Sequence, residues 1–243
     1  MSRILNLGAT ILAAAFALTI SGAAFADSLE VSPTTILLGA NRAAVVNVMN
    51  RGNKPITAQV EAFDWTQQNG KDQLEPSKTL QISPPMVRIA PGKKQIVRLR
   101  AAPSSASEGE SAFRLVVSEL PDRSSTVPNG VHMLLQFKIP VFVGTDSKTP
   151  RTLSWHATPA GTNLILQVSN DGTRHVKLAG LHVAASSGQM LSVEPETFYY
   201  VLKGATHQWR IPDAGIASGA TLHVTGVDEV NGTEVDATVV VGH

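Results

Sequence analysis

Cysteine is absent from the 243-residue chain, which removes disulfide frameworks and thiol nucleophiles together. An excess of one charge is missing too: 20 Lys and Arg stand against 19 Asp and Glu. That balance argues against a general nucleic-acid binder, which carries a basic surplus. No run of like charge marks an arm for a membrane surface. Aromatic residues make up only 5%, and Trp65, Trp155 and Trp209 lie far apart in the sequence. A sugar-stacking platform is therefore a weaker reading than packing in cores or at domain corners.

Catalytic signatures are also lacking. There is no G-x-S-x-G elbow, no P-loop and no G-x-G-x-x-G. The seven histidines (His132, His156, His175, His182, His207, His223 and His243) form no H-x-x-x-H or HExxH pair. With no cysteine to help them, a zinc site is not expected. Asp64, Glu110 and Glu119 are spread out rather than paired for acid–base work. The sequence thus predicts no catalytic residues, no metal and no cofactor.

What is there begins with a leader. Residues 1–26 carry Arg3, an apolar stretch and the run Ala24-Phe25-Ala26. This is the pattern of a cleavable secretory signal with a small-x-small site, too short in its apolar core for a span. Cleavage before Asp27 leaves 19 cationic and 19 anionic side chains. No later stretch is long and apolar enough to cross a bilayer, so export to the periplasm is the expectation. Hydrophobic residues reach 43%, enough to build real cores.

Past the leader, short runs rich in Val, Ile, Leu and Phe follow one another between turn residues. In order they are "SLEVSPTTILL", "AAVVNVMN", "ITAQVEAFDW", "QIVRLRAA", "SAFRLVVSEL" and "HMLLQFKIPVFV". "NRGNKP", "QQNGKD" and "APGKKQ" read as turns. "GTDSKTPR", residues 144–151, reads as a linker, and a second series of strands follows it. In that series Asn170–Thr173 and Glu229–Glu234 look like hairpin turns. No helical period persists. The expected architecture is all-β: a signal over 1–26, a sandwich over 27–146 and a smaller sandwich over 147–243.

Two cations stand out within strands. In Val131–Val143, the residues Val131, Met133, Leu135 and Phe137 form an apolar row, while His132, Leu134, Gln136 and Lys138 form a mixed one. Apolar groups on both faces suit either a central strand or an edge kept apolar for a partner. Pro140 favours an edge or a break. Arg114 sits among Phe113, Leu115 and Val116 and needs a polar partner or a path to water. If these two strands are neighbours, Arg114 and Lys138 converge and suit a carboxylate, one as a fork and the other as a point charge. The alternative is two unrelated side chains on solvent faces.

The pieces "LEVSPTTILL", "VVNVMNRGNKPITAQVEAFDW", "SPPMVRIAPGKKQIVRLR", "GESAFRLVVSELP" and "LLQFKIPVFV" occur in this order between Ser28 and Val143. Together they resemble the periplasmic pilus (fimbrial) chaperones of the chaperone–usher pathway, the PapD-like family. The second half resembles them only in length and strand content. The resemblance implies two immunoglobulin-like β-sandwich domains in an L-shaped arrangement with a cleft between them. It implies a chaperone that lends its last first-domain strand to an incomplete pilus subunit, holds the subunit's C-terminal carboxylate in the cleft, and delivers it to an outer-membrane usher.

Position by position, Lys138 matches the family's cleft lysine, and Val131, Met133, Leu135 and Phe137 match its donor row. Strict alternation turns Lys138 away from that row, so a twist or bulge near Pro140 is expected to re-aim it. Most members carry the second cleft base on the first strand, where this chain has Thr34 or Thr35. That role is open between this position and Arg114, which is the best replacement: an archaic-looking branch of the family, which "FDWTQQNG" also resembles, has arginine there. Glu110 matches the acidic member of an interdomain ion network, yet its expected arginine partner is replaced by Phe142. An unpaired apolar edge also invites self-association. The competing reading, a secreted β-sandwich adhesin or carbohydrate-binding protein, requires clustered exposed aromatics.

Overall fold

The computed structural model describes residues 29–102, 109–121, 133–144, 152–193, 198–212 and 214–242. The expected signal, the linker from residue 145 onward and Val131 lie outside them. Among the described residues every regular element is a strand, and no helix is long and apolar enough to cross a membrane.

The first half contains β1 (Leu29–Ser32), β2 (Ile36–Leu38), β3 (Ala43–Asn50), β4 (Ile56–Gln68), β5 (Lys71–Pro76), β6 (Leu80–Ser83), β7 (Met86–Ile89), β8 (Lys94–Ala101), β9 (Ser111–Leu120) and β10 (Gln136–Val143). One sheet runs β1-β3-β8-β6, and the other runs β2-β10-β9-β4-β5 with β7 also on β4. The second half contains β11 (Leu153–Ala160), β12 (Asn163–Asn170), β13 (Val176–Ala185), β14 (Met190–Leu191), β15 (Tyr199–Val201), β16 (Thr206–Ile211), β17 (Thr221–Asp228) and β18 (Thr233–Val240). Its sheets are β11-β12-β16 and β14-β13-β17-β18, with β15 on β13. Each pair of sheets encloses its own apolar core.

Two asparagines show how the chain changes sheets. Asn50 ends β3 and is fully buried; its Nδ2 donates to the carbonyls of Lys54 and Ile89, and its Oδ1 accepts from Gly52 N–H. Asn170 ends β12 and does the same with the carbonyls of Arg174 and Val201 and with Gly172 N–H. A buried amide satisfies backbone groups that the corner would otherwise orphan. Asn170–Thr173, expected to close a hairpin, therefore carries the chain from one sheet to the other. The Asn-x-Gly spacing is an Asx turn here rather than a hairpin signal. Glu229–Glu234 does close a hairpin, with Asp228 opposite Thr233. At the β4–β5 hairpin, Asn69 and Gly70 both take positive φ (50° and 72°), the geometry of a tight two-residue connection.

The longest strand, β4, serves both halves of the molecule. Ile56, Ala58 and Val60 point into the first core, as alternation requires. Trp65 lies on the opposite face, only 2% exposed, and packs with the second core. Phe142 of β10 does likewise, between Val141 and Val143, which belong to the first core. Burying a side chain of that size contributes about 1.5–3 kcal/mol, so the seam between the halves is an apolar contact in its own right.

Candidate functional site

The outer face of the β4-β9-β10 sheet carries the two cations that the sequence singles out. β9 and β10 are neighbours, and their register sets Lys138 opposite Val116 and Pro140 opposite Arg114. Residues opposite one another share a face, as do residues two apart. Lys138 and Arg114 are thus diagonal neighbours on one face of adjacent strands. The pairing runs unbroken from Gln136 to Val143, so the expected bulge near Pro140 is absent. Lys138 therefore stays on the face opposite Leu135 and Phe137, the face from which Arg114 reaches Trp65 and Tyr200.

The environments of the two differ. Lys138 is exposed, and none of the described residues forms an ion pair with it. The Arg114 side chain is only 13% exposed. Its guanidinium carbon lies 3.5 Å above the Trp65 ring centroid and 5.4 Å from that of Tyr200, which β15 supplies. Its Nη2 is 3.6 Å from Asp72 Oδ2. Burial lowers the pKa of Arg114, while the Asp72 carboxylate acts against that shift. A planar, weakly hydrated guanidinium stacked on an indole is the form of cation that tolerates such a place. Thr34 and Thr35, the other candidates for the second base, are exposed in the bend between β1 and β2. Thr35 precedes Ile36, whose parallel partner is Val141.

The apolar row that contains Met133, Leu135 and Phe137 continues into β10 and shows a gradient. Val143, Val141 and Ile139 are 2%, 0% and 4% exposed. Phe137 and Leu135 are half-buried at the margin of the first core, and Met133 is 79% exposed. One alternating row therefore passes from the protein's own core into solvent. The backbone follows the same course. β2 pairs with β10 only at Val141–Val143, so among the described residues Gln136–Pro140 has a partner on the β9 side alone. Pro140, which lacks an N–H, stands where that second partner ends.

Residues 28–146 match the family of pili and flagellar-assembly chaperones, PapD N-terminal domain. Through these residues the chain belongs to the PapD-like family. No curated protein matches this chain. Among solved structures, the complex of the CsuC chaperone with the CsuE tip subunit from the archaic Csu pili of Acinetobacter baumannii matches with TM-score 0.67 and 20% identity, covering 89% of this chain and all of that one. The CupB2 chaperone of Pseudomonas aeruginosa matches with TM-score 0.56 and 16% identity over 88% of this chain and all of that one. The complex of the Salmonella enterica SafA pilin with the SafB chaperone gives 0.59 and 17%, over 88% of this chain and 96% of that one. At these identities the likeness establishes the fold, two immunoglobulin-like sandwiches.

In this chaperone the seam between the sandwiches is rebuilt rather than lost. Glu110 is buried; its Oε1 accepts from the backbone N–H of His175 at 2.9 Å and from His175 Nδ1 at 2.6 Å. Arg174 Nε lies 3.9 Å from its Oε2. Phe142, standing where a family arginine is expected, stacks on the His175 ring with centroids 3.4 Å apart and planes within 5°. The bases that face Glu110 thus come from the second half, and Phe142 holds the imidazole by its face. Gln67 adds a second tie: it accepts from Leu202 N–H and donates to the Tyr200 carbonyl, each at 2.9 Å.

Gly109 makes that seam testable. Its φ is +97°, and a β-carbon there would lie 2.7 Å from the Thr173 carbonyl oxygen, across the seam. Gly109→Ala is expected to cost about 1–3 kcal/mol. In a chain of this size that lowers Tm by about 2–4 °C per kcal/mol, read by circular dichroism.

Several residues around Arg114 are missed by sequence reasoning. The Asn69-Gly70 turn implies that Asp72 pairs with Gln67 and Leu74 with Trp65, as the register bears out, so Asp72's face was readable. That β9 lies beside β4, bringing Arg114 to that face, was not. Tyr200, Arg174 and His175 come from the second half, and no local pattern marks them. The three tryptophans match the core-and-corner reading: Trp65 and Trp209 are 2% and 3% exposed, and Trp155 stacks on Trp209.

Proposed function

We propose that this protein is a periplasmic, non-enzymatic chaperone that captures pilus subunits by strand addition and hands them to an outer-membrane usher. The observation that carries this reading is the half-paired stretch of β10 with Met133 exposed beside it, on a strand whose other face presents Lys138 next to Arg114. A client lacking a strand pairs with the free edge of Gln136–Pro140. It takes Met133, Leu135 and Phe137 into its groove, with Val131 ahead of them. The client's terminal carboxylate then lies between Lys138 and Arg114, which fixes the register of the added strand.

Three or four apolar side chains entering a groove supply roughly 1.5–3 kcal/mol each before ordering costs. Without a client, the same edge pairs with a second copy of the chain. The adhesin reading lacks support, since its tryptophans are occupied in packing. The test is co-expression with a pilus subunit encoded beside this gene, followed by isolation from the periplasm. A one-to-one complex is the expected result. Recovery of only degraded subunit and free chaperone would remove the proposal.

A further inference from the structure

Arg114 already faces one carboxylate of this chain, that of Asp72. Asp72 enters the cleft face from β5, opposite Gln67. Gln67 Nε2 donates to Asp72 Oδ1 at 3.0 Å, which leaves Oδ2 directed at Arg114 Nη2, 3.6 Å away. The contact is looser than a charge-assisted hydrogen bond of about 2.7–2.9 Å, and the Asp72 side chain is 45% exposed. It therefore neutralises the guanidinium without locking it. Arg114 leans over Trp65 toward this acid, whereas Lys138 lies one row away in the other direction and has no acidic partner among the described residues.

We propose that Asp72 is a built-in competitor for the client's terminal carboxylate, occupying Arg114 while the cleft is empty and limiting how tightly a carboxylate-ended segment is held. The inference rests on the capture reading above. Two carboxylates within reach of one guanidinium repel each other at short range. An arriving carboxylate that bridges Lys138 and Arg114 must displace Asp72 or share the fork with it. The trade makes capture reversible, as a chaperone that later releases its client requires. It also keeps a buried cation from standing unpaired between clients, which would be costly. The opposite role is that of a positioning residue, in which Asp72 holds the guanidinium in its productive place.

The two roles predict opposite signs. Asp72→Asn keeps the shape and the acceptor for Gln67 and removes only the charge. The full mature chain and this variant are titrated calorimetrically with one synthetic probe, an N-acetylated peptide of alternating valine and threonine, made with a free C-terminal carboxylate or a C-terminal amide. The expected result is about tenfold tighter binding of the free-acid peptide by Asp72→Asn, with the amide unchanged. Equal or weaker binding of the free acid by the variant overturns the proposal. So does undetectable binding by the variant at millimolar peptide. Acid and amide bound equally by both proteins would instead refute the carboxylate anchor itself, and so is told apart from failure of the Asp72 role alone.

Discussion

Replacing Lys138 and Arg114 together by alanine is expected to abolish recovery of a chaperone–subunit complex from the periplasm. Truncating one partner of a buried, hydrogen-bonded charge pair costs about 2–5 kcal/mol, and here the client's carboxylate would lose both partners as it leaves water. The two single variants should differ in a way that the structure dictates. Lys138 is exposed with no ionic partner among the described residues, so Lys138→Ala should weaken capture roughly thirtyfold or more and leave Tm unchanged. Arg114 is packed between Trp65 and Tyr200, so Arg114→Ala should weaken capture and also lower Tm, because the sandwich seam loses a stacked group. Arg114→Lys separates these effects: it keeps the charge and loses the planar fork. Capture by the double variant at the wild-type level, measured by co-purification and thermal unfolding side by side, would show that neither cation holds the client.

How far the sequence disclosed this site depends on which face of a strand is asked about. The all-β architecture and the strands carrying Arg114 and Lys138 follow from alternation and turn chemistry, which are local; that the two strands are neighbours enters the sequence reading only as a condition, and the pairing of β9 with β10 supplies it. The faces pointing at the other sandwich do not. Trp65 and Phe142 each sit in a strand whose neighbouring residues fill the first core, and period-two reading assigns the off-phase residues to solvent. Only the second sandwich makes them buried. The bulge expected at Pro140 reflects the same limit: Lys138 and Arg114 share the opposite face of an unbroken strand, which alternation along one strand alone does not reveal. Glu110 and Phe142 show the reverse case. Position 142 lacks the expected base, yet the seam keeps its buried carboxylate, because His175 and Arg174 approach it from the other domain. His175 lies 65 residues from Glu110 and Arg174 is its chain neighbour, beyond any spacing rule.

The parity of the donor row gives the sharpest consequence of strand addition. Met133 is 79% exposed and Leu134 is 49% exposed; they are adjacent in sequence just ahead of β10, so they take opposite faces once the strand extends through them. If β10 enters a client groove, the row Met133, Leu135 and Phe137 goes inward and Leu134 stays outward with Lys138. Met133→Asp should then lose the methionine's burial, about 1.5–3 kcal/mol, and place a carboxylate in an apolar groove at a further cost of several kcal/mol. Capture should fall by at least a hundredfold. Leu134→Asp should change it only a few-fold. Neither variant should alter Tm, since neither side chain belongs to the chaperone's own core. Leu135→Asp is a poorer probe, because Leu135 packs against the first core and its loss confounds stability with capture. The measurement is subunit co-purification, with Tm as the control. An equal loss in Met133→Asp and Leu134→Asp would mean that the segment binds without alternation, as a disordered apolar tether does, and strand addition would then be the wrong description of how this chaperone holds its client.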